Sequence, residues 1–202
     1  MNAFLQTAAG NPENQDRGLI LEDGSRTILC VADGAGGGSG GAEAAIMAVN
    51  LIRQNAILLN NGNACSEVLR KIDEAIAKDP IAGETTCTLV VVAPGEIFGA
   101  SVGDSGSWMI PETGNHLDLT HAQQRKPFIG SGCAWPVSFH HSALTGLLLL
   151  ATDGLLKYTS AERITGTCRE NAVDLLGGQL IKLVRYPSGA LPDDVTLIIV
   201  KL

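Results

Sequence analysis

The sequence predicts an α+β fold in which antiparallel sheets are covered by helices. Three observations lead there. Strand-like apolar runs open the chain and return after residue 85. Short turns join many of them, and two helical stretches separate the first group from the second. Strands so closely spaced pair as antiparallel meanders, because a parallel crossover needs a dozen or more connecting residues.

The first strands are AFLQTA, RGLILE and RTILCVAD, with Asp23-Gly24 as a hairpin signal between the last two. A glycine-rich stretch, Gly34 to Gly41, follows. A helix is expected from about Ala42, where Ala45, Val49, Ile52, Ala56 and Leu59 recur at helical spacing, and Asn60-Asn61-Gly62 ends it. A second helix is expected from about Ser66, with Val68, Ile72 and Ile76 on one face, and Asp79-Pro80 stops it. The pattern then returns to strands: TTCTLVVVAP, a turn at Pro94-Gly95, EIFGASVG, SGSWMIP, a turn at Thr113-Gly114, and NHLDLT. Residues 121–138 read as irregular, with a strand around FHHSAL after them. LLLLATDG is wholly apolar before its aspartate, as expected of a strand covered on both faces. One helix is expected over 169–185, weakened by Gly177-Gly178, before the closing strand VTLIIVKL.

At 202 residues the chain reads as one domain, 1–202, without linker, repeat or low-complexity tract. Apolar residues make up 45% and aromatics only 4%, so the core must be built from Leu, Ile, Val and Ala. The net charge is −7, and no basic tract or aromatic–basic interleaving is present, which speaks against nucleic acid as a partner. Five scattered cysteines with no C-x-x-C pair argue against a disulfide framework or a structural zinc site. The N-terminal residues carry no signal-peptide pattern, and no apolar run is long enough to span a bilayer. A soluble cytoplasmic protein with no membrane partner is expected.

The chemistry lies with the aspartates. Asp33 follows TILCVA and precedes Gly34; Asp153 follows LLLLAT and precedes Gly154; Asp104 follows IFGASV. Asp193 precedes VTLIIV, and Asp16 precedes the first hairpin. Carboxylates at several neighbouring strand ends repel unless a cation lies among them. Hard oxygen ligands of this kind suit Mg²⁺ or Mn²⁺. Any one of these aspartates also reads as an Asx-turn or strand-end cap, and for a single Asp-Gly that is the better reading. The repeated setting raises a shared metal site to an even alternative.

At these residues the sequence resembles the metal-dependent serine/threonine phosphatases of the PP2C type, in a small bacterial-like form. The matching segments, in order, are Asn14-Gln15-Asp16, VADGAGG (31–37), Gly83-Glu84-Thr85, VGDSG (102–106), LT (119–120), LLLATDGL (148–155) and DDVT (193–196). The resemblance implies a β-sandwich of two antiparallel sheets flanked by helices. It implies that Asp33 bridges two ions, Mn²⁺ or Mg²⁺, with the Gly34 carbonyl on the first and Asp153 and Asp193 completing the second. Asp16 would hold a metal-bound water from behind, and Asp104 with Asp153 would take a third ion. The implied reaction is hydrolysis of phosphoserine or phosphothreonine by a water bridging two cations. The implied partners are phosphorylated proteins, among them a Ser/Thr kinase or its targets.

Three positions depart from the family's pattern. Asn11 stands where the family has a phosphate-clamping arginine, and an asparagine supplies neither the charge nor the fork. Arg17 and Arg125 are the candidate substitutes. Ala35 follows the Asp-Gly where eukaryotic members often have a histidine, leaving His121 as the nearest histidine. The flap within residues 121–146 is short, which predicts an open cleft and broad selectivity. Two other patterns overlap the glycine-rich stretch: a dinucleotide fingerprint at Gly36, Gly38 and Gly41, and a nucleophile elbow at Gly37, Ser39 and Gly41. The first lacks its downstream acidic strand end and the second its parallel sheet. The remaining alternative is a catalytically weak or inactive module that binds or regulates.

Overall fold

The structure, a computed structural model, describes residues 2–35, 40–142 and 145–202. Both overlapping glycine motifs lie partly outside these residues. Ten strands form two sheets of five. They are β1 (Asn2–Ala8), β2 (Asp16–Asp23), β3 (Arg26–Asp33), β4 (Cys87–Ala93), β5 (Glu96–Val102), β6 (Gly106–Ile110), β7 (Leu117–Asp118), β8 (Val137–Ser142), β9 (Leu147–Ala151) and β10 (Val195–Lys201). One sheet runs β1-β10-β9-β6-β7 and the other β2-β3-β4-β5-β8. Every described pairing is antiparallel.

The sheets pack face to face, with helices α1 (Gly41–Gln54) and α2 (Gly62–Ile76) against one. Helices α4 (Ala161–Glu170) and α5 (Val173–Val184) cover the other. Strand alternation decides which layer each residue joins. On β3, Leu29 and Val31 face the opposite sheet, while Ile28, Cys30 and Ala32 meet α1 and α2. On β9, Leu148 and Leu150 fill the space between the sheets, while Leu149 and Ala151 meet the outer helices. The uninterrupted apolar run LLLLA thus reflects burial on both faces.

Several local expectations need correction. The helix expected over 169–185 is α5, Val173–Val184, and a further helix, α4, precedes it over Ala161–Glu170, where none is expected. Ser160 caps α4, its side chain accepting from the Arg163 N–H. The second helix starts four residues earlier than Ser66: Asn61, read as ending the first helix, is the N-cap of α2, accepting from the Ala64 N–H at 2.9 Å. A four-residue helix, α3 (Asp153–Leu156), follows β9 directly. The meander is also broken: β5 and β6 are consecutive in sequence but lie in different sheets. That crossing matters, because Asp104 lies on it.

Candidate metal centre

Strand ends deliver the carboxylates to one end of the sandwich. Asp16 opens β2 and Asp33 closes β3, and the two are direct partners in the ladder. Asp153 begins α3 immediately after β9, and Asp193 lies just before β10. Asp33, Asp104 and Asp153 each offer an oxygen within 4.8 Å of the others. Asn11, Gly34, Asp193, Lys126 and Phe128 share a cavity of about 330 Å³ with them.

The walls are held by a hydroxyl and amide network. The Asp33 N–H donates to Thr86 Oγ1 at 3.1 Å, and Thr86 Oγ1 lies 2.7 Å from Ser105 Oγ beside Asp104. The Asp33 carbonyl accepts from the Thr86 N–H at 2.8 Å and from the Thr85 hydroxyl at 2.9 Å. Asp194 is a tether: its carboxylate accepts from the N–H groups of Gly10, Asn11 and Gln15 at 2.8, 3.1 and 2.9 Å. Gly154 allows this loop to close, since a Cβ there would run into the Asp194 carbonyl oxygen. A Cβ at Gly34 would likewise strike the backbone of Gly41 at the start of α1.

The electrostatics are those of a cluster short of positive charge. Burial, then the Asp16, Asp153, Asp104 and Asp193 charges, push the Asp33 carboxyl up to about 9. Burial raises Asp16 to about 7, against the pull of the Thr152 hydroxyl, which donates to Asp16 Oδ2 at 2.7 Å. Asp104 is raised by burial and by Asp153, and Arg125 and Lys157 oppose the shift. Asp16 Oδ1 is buried without a hydrogen-bond partner. Among the described residues the only ion pair on this cluster is Lys157 with Asp153 at 3.6 Å. An orphaned carboxylate oxygen and three converging acidic oxygens fit a divalent cation.

The structure brings Asp33, Gly34, Asp104, Asp153, Asp193 and Asn11 to one cavity, with Asp16 behind Asp33. Asp104 joins Asp33 and Asp153 in the tight group, while Asp193 accepts from the Asn11 side-chain amide at 3.1 Å. Neither proposed arginine substitute faces the cavity. Arg17 donates to the carbonyls of Asn14 and Asp16, and Arg125 lines an adjoining cleft with Asp104, Asp153 and Lys157. His121 is elsewhere too, in a separate cleft with His140 and His141, its Nδ1 2.9 Å from the Asp118 carbonyl. Sequence reasoning missed Lys126 and Phe128, which sit in the stretch read as irregular and carry no periodic signal.

Residues 7–165 match the family described as Protein phosphatase 2C. The chain belongs to this family. No curated protein matches the chain in sequence. Solved structures share the fold over nearly full length. A serine/threonine phosphatase of S. agalactiae is 21% identical with a TM-score of 0.84, covering 100% of this chain and 99% of its own. The catalytic domain of the protein phosphatase PstP, in complex with two manganese ions, is 21% identical with a TM-score of 0.79, covering 98% and 96%. RsbX in complex with magnesium is 16% identical with a TM-score of 0.76, covering 98% and 92%. At these identities the protein phosphatase 2C fold is what the likeness shows. No helix among the described residues is long and apolar enough to cross a membrane.

Proposed function

We propose that this family member is a single catalytic domain that hydrolyses phosphoserine and phosphothreonine esters of proteins with divalent metal ions. The observation that carries the reading is the convergence of Asp33, Asp104 and Asp153 within 4.8 Å in a cavity where, among the described residues, only Lys157 forms an ion pair with them. PstP is in complex with manganese and RsbX with magnesium, and the same hard-oxygen chemistry suits Mn²⁺ or Mg²⁺ here. Asp33, the Gly34 carbonyl, Asp153 and Asp193 would hold two ions, and Asp104 with Asp153 a third. Such ions, when bound, lower the pKa of water towards neutrality and neutralise phosphoryl oxygens.

The chain's own residues orient this centre. Thr152 fixes one Asp16 oxygen and leaves the other unpartnered beside Asp33, where it can accept a proton or a hydrogen bond. The Thr85–Thr86–Ser105 network fixes the backbone that carries Asp33. The short stretch between β7 and β9 leaves the cleft open, so aryl phosphates and several phosphopeptides should be turned over at comparable efficiency.

The test is hydrolysis of p-nitrophenyl phosphate and a phosphothreonine peptide with Mn²⁺ and with chelator. Metal-dependent turnover lost by at least about a hundredfold in Asp153→Asn supports the reading. One observation favours the second reading, a non-catalytic binding module: the Asn11 amide is spent on Asp193. Metal binding in a thermal-shift assay without any turnover would select that reading.

A further inference from the structure

Among the described residues that line the acidic cavity, Lys126 is the one lysine. The other cations nearby do not line it. Arg17 is spent on two carbonyls at 2.7 Å, and Lys157 lies 3.6 Å from Asp153. Arg125 lines an adjoining cleft that shares Asp104 and Asp153 with the cavity, and residue 11, another lining residue, is an asparagine that donates to Asp193. Lys126 makes no ion pair among the described residues, although it lines a cavity rich in carboxylates.

Its position is also fixed from below. Ile129 is fully buried in the layer between sheet and helices, and exchanges two hydrogen bonds with Thr85 at 2.8 and 3.0 Å. Thr85 in turn donates to the Asp33 carbonyl, so the segment presenting Lys126 is pinned to the strand presenting Asp33. Asp73 holds the next turn through the N–H groups of Gly130, Gly132 and Ala134. The Lys126 ammonium lies 5.3 Å from the centre of the Phe128 ring, a second lining residue, in cation–π range.

We propose that Lys126 is the substrate-phosphate contact of this cavity, with its ammonium on the phosphoryl oxygens of a phosphoserine or phosphothreonine side chain. This rests on the phosphatase reading above. A lysine is a point charge without the guanidinium fork, so it attracts the dianion while imposing little on its orientation. That agrees with an open cleft that accepts varied esters. Phe128 restrains the long lysine stem, which reduces the rotamer freedom lost when the phosphate arrives.

The experiment uses the full chain loaded with Mn²⁺, comparing wild type, Lys126→Ala and Lys126→Arg. Lys126→Ala should raise KM for a phosphothreonine peptide by about tenfold and leave kcat within about threefold, as loss of an ordinary binding contact does. The inhibition constant of inorganic phosphate should rise in parallel, and Lys126→Arg should recover most of both. Unchanged KM and phosphate inhibition in a folded Lys126→Ala protein overturn the proposal, as does a fall in kcat alone. Calorimetric titration of inorganic phosphate into the Mn²⁺-loaded protein separates this from the parent reading. If wild type binds phosphate without turnover, the phosphatase reading fails, while about tenfold weaker binding by Lys126→Ala still supports the lysine contact. Equal binding by the two proteins, or none by wild type, overturns it.

Discussion

Asp73 and Asp16 are buried to nearly the same degree, 1% and 3% exposed, yet their surroundings are opposite. Asp73 points from α2 into the turn at 130–134 and accepts three backbone N–H groups at 2.7, 3.0 and 3.0 Å. Asp16 points into the end of the sandwich with one oxygen on Thr152 and the other unpartnered, two strand residues facing each other as carboxylates. A buried carboxylate whose lone pairs the chain fills is a fastener. One whose lone pairs are left open, beside further carboxylates, is part of a site for something the chain does not supply. Burial alone does not separate the two roles; the count of donors does.

The contrast can be broken by substitution, beginning with the largest effect. Asp73→Ala strands three inward-facing N–H groups and should cost about 3 kcal/mol or more, with or without metal. Chemical denaturation in chelator measures it, and a loss below about 1 kcal/mol would mean that Asp73 is no fastener. Gly154→Ala should cost about 1–3 kcal/mol by driving a Cβ into the Asp194 carbonyl, and should also weaken Mn²⁺ binding by displacing the loop that carries Asp193. A stability loss with metal affinity unchanged would uncouple that loop from the centre.

Asp16→Asn should act with the opposite sign to Asp73→Ala: the metal-free protein becomes more stable by about 1 kcal/mol at pH 8, because a desolvated charge is removed. Destabilisation in chelator would contradict the reading of Asp16. The pH dependence follows from the same groups. Asp16 and Asp33 are raised to about 7 and about 9 from 3.8, so the folded metal-free state binds more protons than the unfolded one. Stability without metal is therefore fullest below about pH 4 with respect to these groups, and is lost as pH rises through 7 to 9. Adding Mn²⁺ should raise the melting temperature more at pH 8 than at pH 6; an equal shift at both would sink this account. The smallest effect belongs to His121→Ala, which should leave turnover within about twofold, since His121 lies in a different cleft.

Much of the fold was legible because local pattern carries it. Strands such as RTILCVAD and VTLIIVKL were read at nearly their observed bounds, and the wholly apolar β9 was read correctly as covered on both faces. The differences lie at a helix boundary, where a single side-chain acceptor decides, and in α3 and α4, whose short or mostly polar sequences give no helical apolar spacing. Asn61 closes one helical pattern and caps the next helix, and Ser160 caps α4. The site's aspartates were legible because each follows or precedes an apolar run. The two members of Asp193-Asp194 were not separable by their own pattern, and only the three N–H groups on Asp194 show which one is the tether.

The sequence by itself determined that antiparallel strands end in aspartates and that no arginine stands at position 11, because these are matters of local order and identity. Only the tertiary structure decided that Asp104, carried on the crossing between sheets, comes within 4.8 Å of Asp33 and Asp153. It also decided that Lys126 lines the cavity that holds all three, while Arg125 lines an adjoining cleft with Asp104 and Asp153. The physical reason is that charge at a site depends on distances across segments far apart in the chain. Those distances are set by packing: Ile129 in the core, Thr85 on Asp33, and three amides on Asp73.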